Sequence, residues 1–418
     1  MPSRLSGGTV RRSADILLSS ASEPSGADHA VRHVGVPLAA LFIASLALRP
    51  QLVGLGPLLP EIQTSLGISH GIAGLLATVP VLCMAVFALP GVRLAHVIGL
   101  RAAMTVALAA IAVFGFLRPM VPSFPAVLMT TVGIGIGIGI GGALLPRAVR
   151  MLIPHRVGFA TGLYGGGIQT GAAIAAATAA PLAAVTDWRI ALLVFSGATT
   201  LILAAWLVVT RSVPTRDEPD VLPSFPSRSM EAWRLATVFA LNSLCYYGLI
   251  TWLPSAYVDM GWTSESAGGL VGLLNLAALP ACFVIPRFSD RSVSRHRYVV
   301  ACGVGTGVAI TGILLAPELA SIWVTLAGVA LGTLFPMMMA LPVDIARRPA
   351  DVAGHAAMML TGGYAVAAAA PALLGWVRDA SGSFAPAFWM LVVAAMLISA
   401  LSVNAFASGS TRATPAQS

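Results

Sequence analysis

Apolar runs about as long as a bilayer is thick recur along this chain, and that recurrence limits its fold more than any single motif does. A helix rises ~1.5 Å per residue, so roughly twenty apolar residues cross a ~30 Å hydrocarbon core. Runs of this kind, separated by charge or by Pro and Gly, lie near 34–60, 70–90, 101–121, 125–147, 157–183, 189–210, 232–255, 267–286, 298–316, 320–343, 351–376 and 385–407. They predict an all-α integral membrane protein with twelve transmembrane helices. With 57% hydrophobic residues, 10% charged residues and a mean hydropathy of +0.87, a soluble globular chain is excluded.

Between the sixth and seventh spans lies RSVPTRDEPDVLPSFPSRSM, rich in Pro, Ser and charge. Its composition is that of a linker, so the chain reads as a bundle at 34–210, a cytoplasmic linker at 211–231 and a bundle at 232–407. Residues 1–33 hold only the short apolar run Ile16 to Leu18, too short for a signal-peptide core. They and residues 408–418 read as cytoplasmic tails, the first of them disordered. Net charge is +8, and all 24 basic residues are arginine. Twenty of these arginines fall in the two tails and the alternate loops that share their side, against Arg118, Arg189 and Arg378 on the other. Positive charge holds loops in the cytoplasm, so both termini are placed inside, and the basic balance needs no nucleic-acid partner. Cys83, Cys245, Cys282 and Cys302 stand singly in apolar runs, with neither disulfide nor metal spacing.

The halves repeat. Pro146 matches Pro342, Gly158 matches Gly354 and Gly166 matches Gly362 at a spacing of 196, while Pro60 and Pro254, Gly67 and Gly261, and Gly74 and Gly268 match at 194. Six spans per copy is an even number, so both copies enter the membrane in the same sense, as parallel repeats with a site expected at their interface near mid-membrane.

One charge breaks the apolar pattern. Arg49 lies in VGVPLAALFIASLALRPQLVGLGPLLP, Val34 to Pro60, about 16 to 23 Å of helix from either end. A side chain does not snorkel that far, and a cation facing lipid there costs about 3 kcal/mol or more. Arg49 therefore faces protein or a wet cavity, either as a ligand for an anion or as a structural arginine tied to backbone carbonyls. Pro50, Gly54, Gly56 and Pro57 loosen the same segment.

Twelve spans, a long central loop and the loop Leu94-Ala95-His96-Val97-Ile98-Gly99-Leu100-Arg101 after span 2 resemble the major facilitator superfamily. That family's loop signature has an aspartate where His96 stands and a basic residue where Val97 stands, so this copy is degenerate. The second copy, Ser289-Asp290-Arg291 with Arg295, keeps the acidic-basic core. The resemblance implies that Asp290, Arg291 and, in degenerate form, His96 stabilise one conformation through charge and helix-dipole contacts. More narrowly, Leu48-Arg49-Pro50, Gly56-Pro57-Leu58-Leu59-Pro60, Leu75-Leu76-Ala77-Thr78-Val79-Pro80-Val81, Leu145-Pro146-Arg147 and Gly162-Leu163-Tyr164 look like the cyanate permease and 2-nitroimidazole exporter (CynX/NimT) branch. What the branch implies is uptake or export of small, planar or anionic solutes across the plasma membrane.

The internal offset places Ser243, beside Asn242, at the depth of Arg49, so Asn242, Tyr246 and Tyr247 are candidates to hydrogen-bond a solute held by Arg49. The alternative is packing between helices. Gln169 maps beside Tyr364, and Gln169, Tyr164, Tyr364 and Asn275 form a second tier of substrate-binding candidates. Arg147 and Asp344 lie at related ends of spans 4 and 10, as a gate ion pair or as ordinary loop charges. Span 4 carries Gly133, Gly137 and Gly141 on one face and Gly135 and Gly139 on another, a pattern for close helix approach. No acidic residue is placed at mid-span, and His355 at a helix end is the one membrane-edge histidine able to relay protons.

The favoured reading is an alternating-access secondary transporter for a small anionic or polar planar solute, working as a monomer in the bilayer. A proton or an exchanged anion would be its coupling partner, and no cofactor or metal is expected. A broad drug exporter lined by Met337, Met338 and Met339 is the alternative. A polytopic enzyme or sensor is the third reading, for which no catalytic cluster is found.

Overall fold

The computed structural model describes residues 26–153, 157–212, 226, 229–289, 295–345 and 349–407. Eleven of its helical segments are long and apolar enough to cross a membrane, and α10 (Ser264–Ser289) supplies the eighth expected span. The twelve-span fold is present, although two spans are not single helices. The first comprises α1 (Gly26–Leu46), α2 (Pro50–Val53), a 3-10 turn at Gly56–Leu58 and α3 (Leu59–Leu66). The eleventh comprises α13 (Pro349–Ala367) and α14 (Ala369–Ser381). The remaining spans are α4 (His70–Ile98), α5 (Leu100–Leu117), α6 (Phe124–Leu152), α7 (Val157–Val185), α8 (Trp188–Val209), α9 (Met230–Asp259), α11 (Arg295–Leu315), α12 (Ala320–Ile345) and α15 (Ala385–Ala407).

Both breaks fall four residues ahead of a proline. Pro50 has no N–H to give to the Leu46 carbonyl and its ring crowds that oxygen, so α1 stops at Leu46; Pro371 stands in the same relation to Ala367. Pro80, Pro90 and Pro254 stay inside continuous helices, so proline permits a break without dictating one. At the first break Ala47 and Leu48 fall back on 3.3 Å bonds to Ala44 and Ser45. Gly171 of α7 lies against the released Leu46 carbonyl, an approach that a Cβ would prevent. Two expected boundaries move: helix begins at Gly26 instead of residue 34, and α4 runs to Ile98 instead of residue 90. Hydrophobicity marks the lipid-facing part of a helix, and the backbone pattern continues past it.

The internal repeat has a physical counterpart. Gly67 after α3 and Gly261 after α9 both take left-handed backbone, with φ of 62° and 88°. Gly74 and Gly268 each lie where the bundles meet: a Cβ on Gly74 would come 2.5 Å from the Pro371 oxygen, and one on Gly268 would come 3.0 Å from Pro57 Cβ. Packing between bundles runs chiefly through α7 against α10 and α4 against α14. At the end opposite the arginine-rich loops, a Cβ on Gly375 would come 2.5 Å from the His70 oxygen. There the Asp379 carboxylate accepts bonds from the backbone N–H groups of His70 (3.1 Å) and Gly71 (2.8 Å) and meets His70 Nδ1 at 2.8 Å. These contacts hold the two bundles together at that end.

All three arginines on that outer side have partners. Arg378 pairs with Asp259 at 2.8 Å, and Arg189 donates to the carbonyls of Pro119 and Val121. Arg118, expected in a loop, is fully buried. It donates to the Gln51 carbonyl (3.1 Å) and to Gln51 Oε1 (2.6 Å), and Gln51 Nε2 in turn donates to Ser196 Oγ (2.8 Å). After the first break Leu55 N–H bonds to Leu52 instead of Gln51, and Arg118 takes up the carbonyl thereby left over. On α6, Gly137 approaches Ala107 and Ile111 of α5, while Gly135 and Gly139 approach Pro80 and Cys83 of α4. The two glycine faces thus serve two neighbours.

Candidate substrate cavity

Arg49 stands at the first break, as the residue that precedes α2. Its side chain leaves the helix line toward the interface of the two bundles, where it is 8% exposed and lines a cavity of about 70 Å³. NH1 donates to the Tyr247 hydroxyl at 2.7 Å, and that hydroxyl approaches Met84 Sδ at 3.6 Å. The guanidinium carbon lies 5.5 Å from the centre of the Tyr247 ring and 5.8 Å from that of Tyr246, within cation–π range. Tyr364 brings a third phenol within electrostatic reach. Among the described residues neither a carboxylate nor a main-chain oxygen accepts a hydrogen bond from Arg49. Of the two readings open in the sequence, the tie to backbone carbonyls does not hold here.

The sequence candidates distribute unevenly. Asn242, Tyr246, Gln169 and Tyr364 line the same cavity as Arg49, and so do Ser243 and Tyr247. Of the two adjacent tyrosines, Tyr247 makes the direct hydrogen bond with the guanidinium. Tyr246 turns its hydroxyl to Asn275 Oδ1 at 2.8 Å. Asn275 is fully buried, bonds on to the Val271 carbonyl and supports Tyr246 from behind the wall. Tyr164 is buried near Tyr364 outside the lining. Leu274, Leu331 and Phe335 supply apolar wall. Among the described residues that line the cavity, none of Met337, Met338 and Met339 appears.

Among the gating candidates, Arg147 lies 3.5 Å from both the Val92 carbonyl and His96 Nδ1. Asp290 and Arg291 lie outside the described residues, as does the side chain of Asp344. His355 is buried with Nδ1 at 2.8 Å from the Asp351 carbonyl, away from the cavity lining. Sequence reasoning missed the brace of Arg118, Gln51 and Ser196. The one available signal was that Gln51 puts a long polar side chain two residues from Arg49 in an otherwise largely apolar span.

Residues 39–369 match the family model of the Major Facilitator Superfamily. The chain belongs to that superfamily. It is therefore a multi-pass membrane transporter and not an enzyme. The cyanate transport protein CynX of Escherichia coli K12 is 28% identical, with 86% of this chain and 95% of that one covered. The 2-nitroimidazole transporter of the same organism is also 28% identical, over 87% of this chain and 93% of its own length. The crystal structure of a D-xylose-proton symporter superposes with a TM-score of 0.69 at 13% identity, covering 88% of this chain and 97% of that one. This last likeness concerns the fold alone.

Proposed function

We propose that this transporter works by alternating access on a small anionic or polar planar solute, of the kind represented by cyanate or a nitroimidazole, held at Arg49. The supporting observation is the guanidinium at the cavity wall, whose partners among the described residues are neutral phenols. A buried charge without a counter-charge is costly, and a cargo that brings the missing negative charge offsets that cost. The bundles at 34–210 and 232–407 would then close over the loaded site, since a ligand shifts a conformational balance by its differential affinity for the two states. A monomer suffices, with a proton or a second anion as the coupled species.

Cavity size supports the same reading. About 70 Å³ is well below the ~300–1,000 Å³ of drug-sized sites, and a cationic wall disfavours lipophilic cations. The broad drug exporter is accordingly the weaker reading. The test is flux in proteoliposomes that contain only this protein, with labelled cyanate and labelled 2-nitroimidazole as probes. Native protein moves at least one of them, Arg49→Ala inserts normally and moves neither, and lipophilic cations do not compete. Unimpaired flux in Arg49→Ala would refute the anion site.

A further inference from the structure

His70, the first residue of α4, places its ring in a socket built by the other bundle. Nδ1 meets the Asp379 carboxylate at 2.8 Å, and the ring centre lies 5.7 Å from that of Trp252 and 5.6 Å from that of Phe384, which it meets edge to face. Asp379 belongs to α14, Trp252 to α9, and Phe384 directly precedes α15. Parting the bundles at this end therefore withdraws one imidazole from three elements at once. A carboxylate and aromatic rings both favour the charged form of that ring. Two more charges stand beside the socket, those of Arg378 and Asp259. They pair with each other at 2.8 Å, with Arg378 also 5.3 Å from the centre of the Phe384 ring, so the uncompensated charge that an imidazolium meets is that of Asp379. The side chains of His70 and Asp379 are 26% and 27% exposed, and protons of the outer medium reach both.

We propose that His70 makes the outer end of this transporter respond to external protons: the imidazolium docks in the socket more firmly than the neutral ring, so acid outside holds the two bundles together there. Histidine is the side chain whose charge ordinarily changes between pH 5 and 8. Docked His70 has a carboxylate partner that parted His70 lacks, so the docked state binds the proton more tightly. Docking thus gains as pH falls through the histidine range and loses that gain as pH rises through it. The proton stays on the outer side throughout and acts on the gate without travelling with the cargo. Nothing in this depends on what the cavity holds. Loaded and empty carriers both open this end, so acid slows exchange and net flux together and leaves their ratio as it was.

The test is the balance of docked and parted populations at two pH values, with no membrane and no gradient present. Spin labels at Ser65 and Ala380 of the full chain in detergent give that balance as a distance distribution from double electron–electron resonance. Between pH 8 and pH 5.5, a window above the ordinary carboxylate range, the ratio of docked to parted should rise about two- to fivefold, as for a partly exposed ion pair. His70→Gln keeps a hydrogen-bond donor that does not titrate, and Asp379→Asn keeps the size of the partner without its charge. In each variant the ratio should change by less than about 1.5-fold over the same window. A ratio in the native chain that stays constant or falls on acidification overturns the proposal. A rise of native size that persists in either variant overturns it as well, because the proton then acts at another site.

Discussion

Arg49 and Arg118 are both buried, neither paired with an acidic residue among the described ones, and the structure gives them opposite jobs, which predicts opposite behaviour when each is replaced by methionine. Arg118 is enclosed and donates twice to Gln51, at 3.1 and 2.6 Å. Hydrogen bonds from a charged donor contribute about 1.5–3 kcal/mol each, and Arg118→Met leaves two buried oxygens of Gln51 unpaired. Arg49 donates to the Tyr247 phenol, has the Tyr364 phenol within hydrogen-bonding reach, and otherwise faces the cavity. Arg49→Met loses its bonds to phenols that line the cavity, where water can take the place of the guanidinium, and keeps a sulfur–aromatic contact with the same rings. Both substitutions also remove a desolvated cation, and the gain is larger at the fully enclosed Arg118, which narrows the difference without reversing it. Arg118→Met should therefore be the less stable by about 1–3 kcal/mol, the cost of leaving enclosed Gln51 oxygens unpaired.

Binding should run the other way. A guanidinium about 4 Å from a monoanion is worth about 4 kcal/mol at an effective dielectric of 20, or roughly a thousandfold in Kd. Arg49→Met should lose anion binding on that scale, while folded Arg118→Met stays within about tenfold of native. Apparent Tm in detergent reads the first difference and calorimetry with a small carboxylate the second. If Arg49→Met melts as early as Arg118→Met, or binds anions with native affinity, Arg49 is structural and the assignment of roles is wrong.

Other outcomes follow from the interface and the wall. Asp379→Ala removes the cap that closes α4 against α14, a contact worth about 0.5–2 kcal/mol. Spin labels at Ser65 and Ala380 should then show a larger separated population, and an unchanged distance distribution would count against the latch. Gly74→Ala places a Cβ 2.5 Å from the Pro371 oxygen, whereas Gly142→Ala meets nothing within 4 Å; only the first should slow flux, and equal rates would show that outer closure is not needed. Asn275→Leu frees the Tyr246 hydroxyl and should raise the KM for cargo about fivefold to tenfold, the worth of one buried bond, while leaving maximal flux within twofold or so. A fall in maximal flux alone would place Asn275 in the moving parts instead.

Much of the fold was legible because the bilayer imposes it. Length and hydropathy locate the spans, and the repeat recovers Gly67 with Gly261 because a left-handed turn favours glycine in both copies. Arg49 was legible for the same reason, since charge at mid-bilayer needs a cause. The partners of these residues were not. Tyr246 and Tyr247 are adjacent in sequence and differ by 100° around α9, and hydropathy does not say which faces the guanidinium. Arg118 ends an apolar run with Pro119, as loop arginines do, and only tertiary packing reveals that it completes a broken helix 67 residues away. The contact of His70 with Asp379 joins residues 309 apart, a distance over which one sequence carries no register.

The bond from Arg49 to Tyr247 crosses between the bundles, so the residue assigned to the cargo also ties the two moving bodies together. With cargo present, the halves close around a neutral pair. Without it they close around a cation shielded by phenols, and the difference is of the order of the pairing energy, about 4 kcal/mol. Spread over the transition, even half of that makes the empty carrier reorient roughly thirtyfold more slowly than the loaded one. Exchange of cargo should therefore outrun net efflux into cargo-free medium by at least about tenfold, measured as counterflow against net flux in the same proteoliposomes. Because the delay comes from the arginine and not from a titrating carboxylate, a pH gradient should change the ratio little. Net flux as fast as exchange would mean that the phenols already neutralise Arg49 well enough for the empty carrier to turn over, and the proposed role of cargo as its counter-charge would fail.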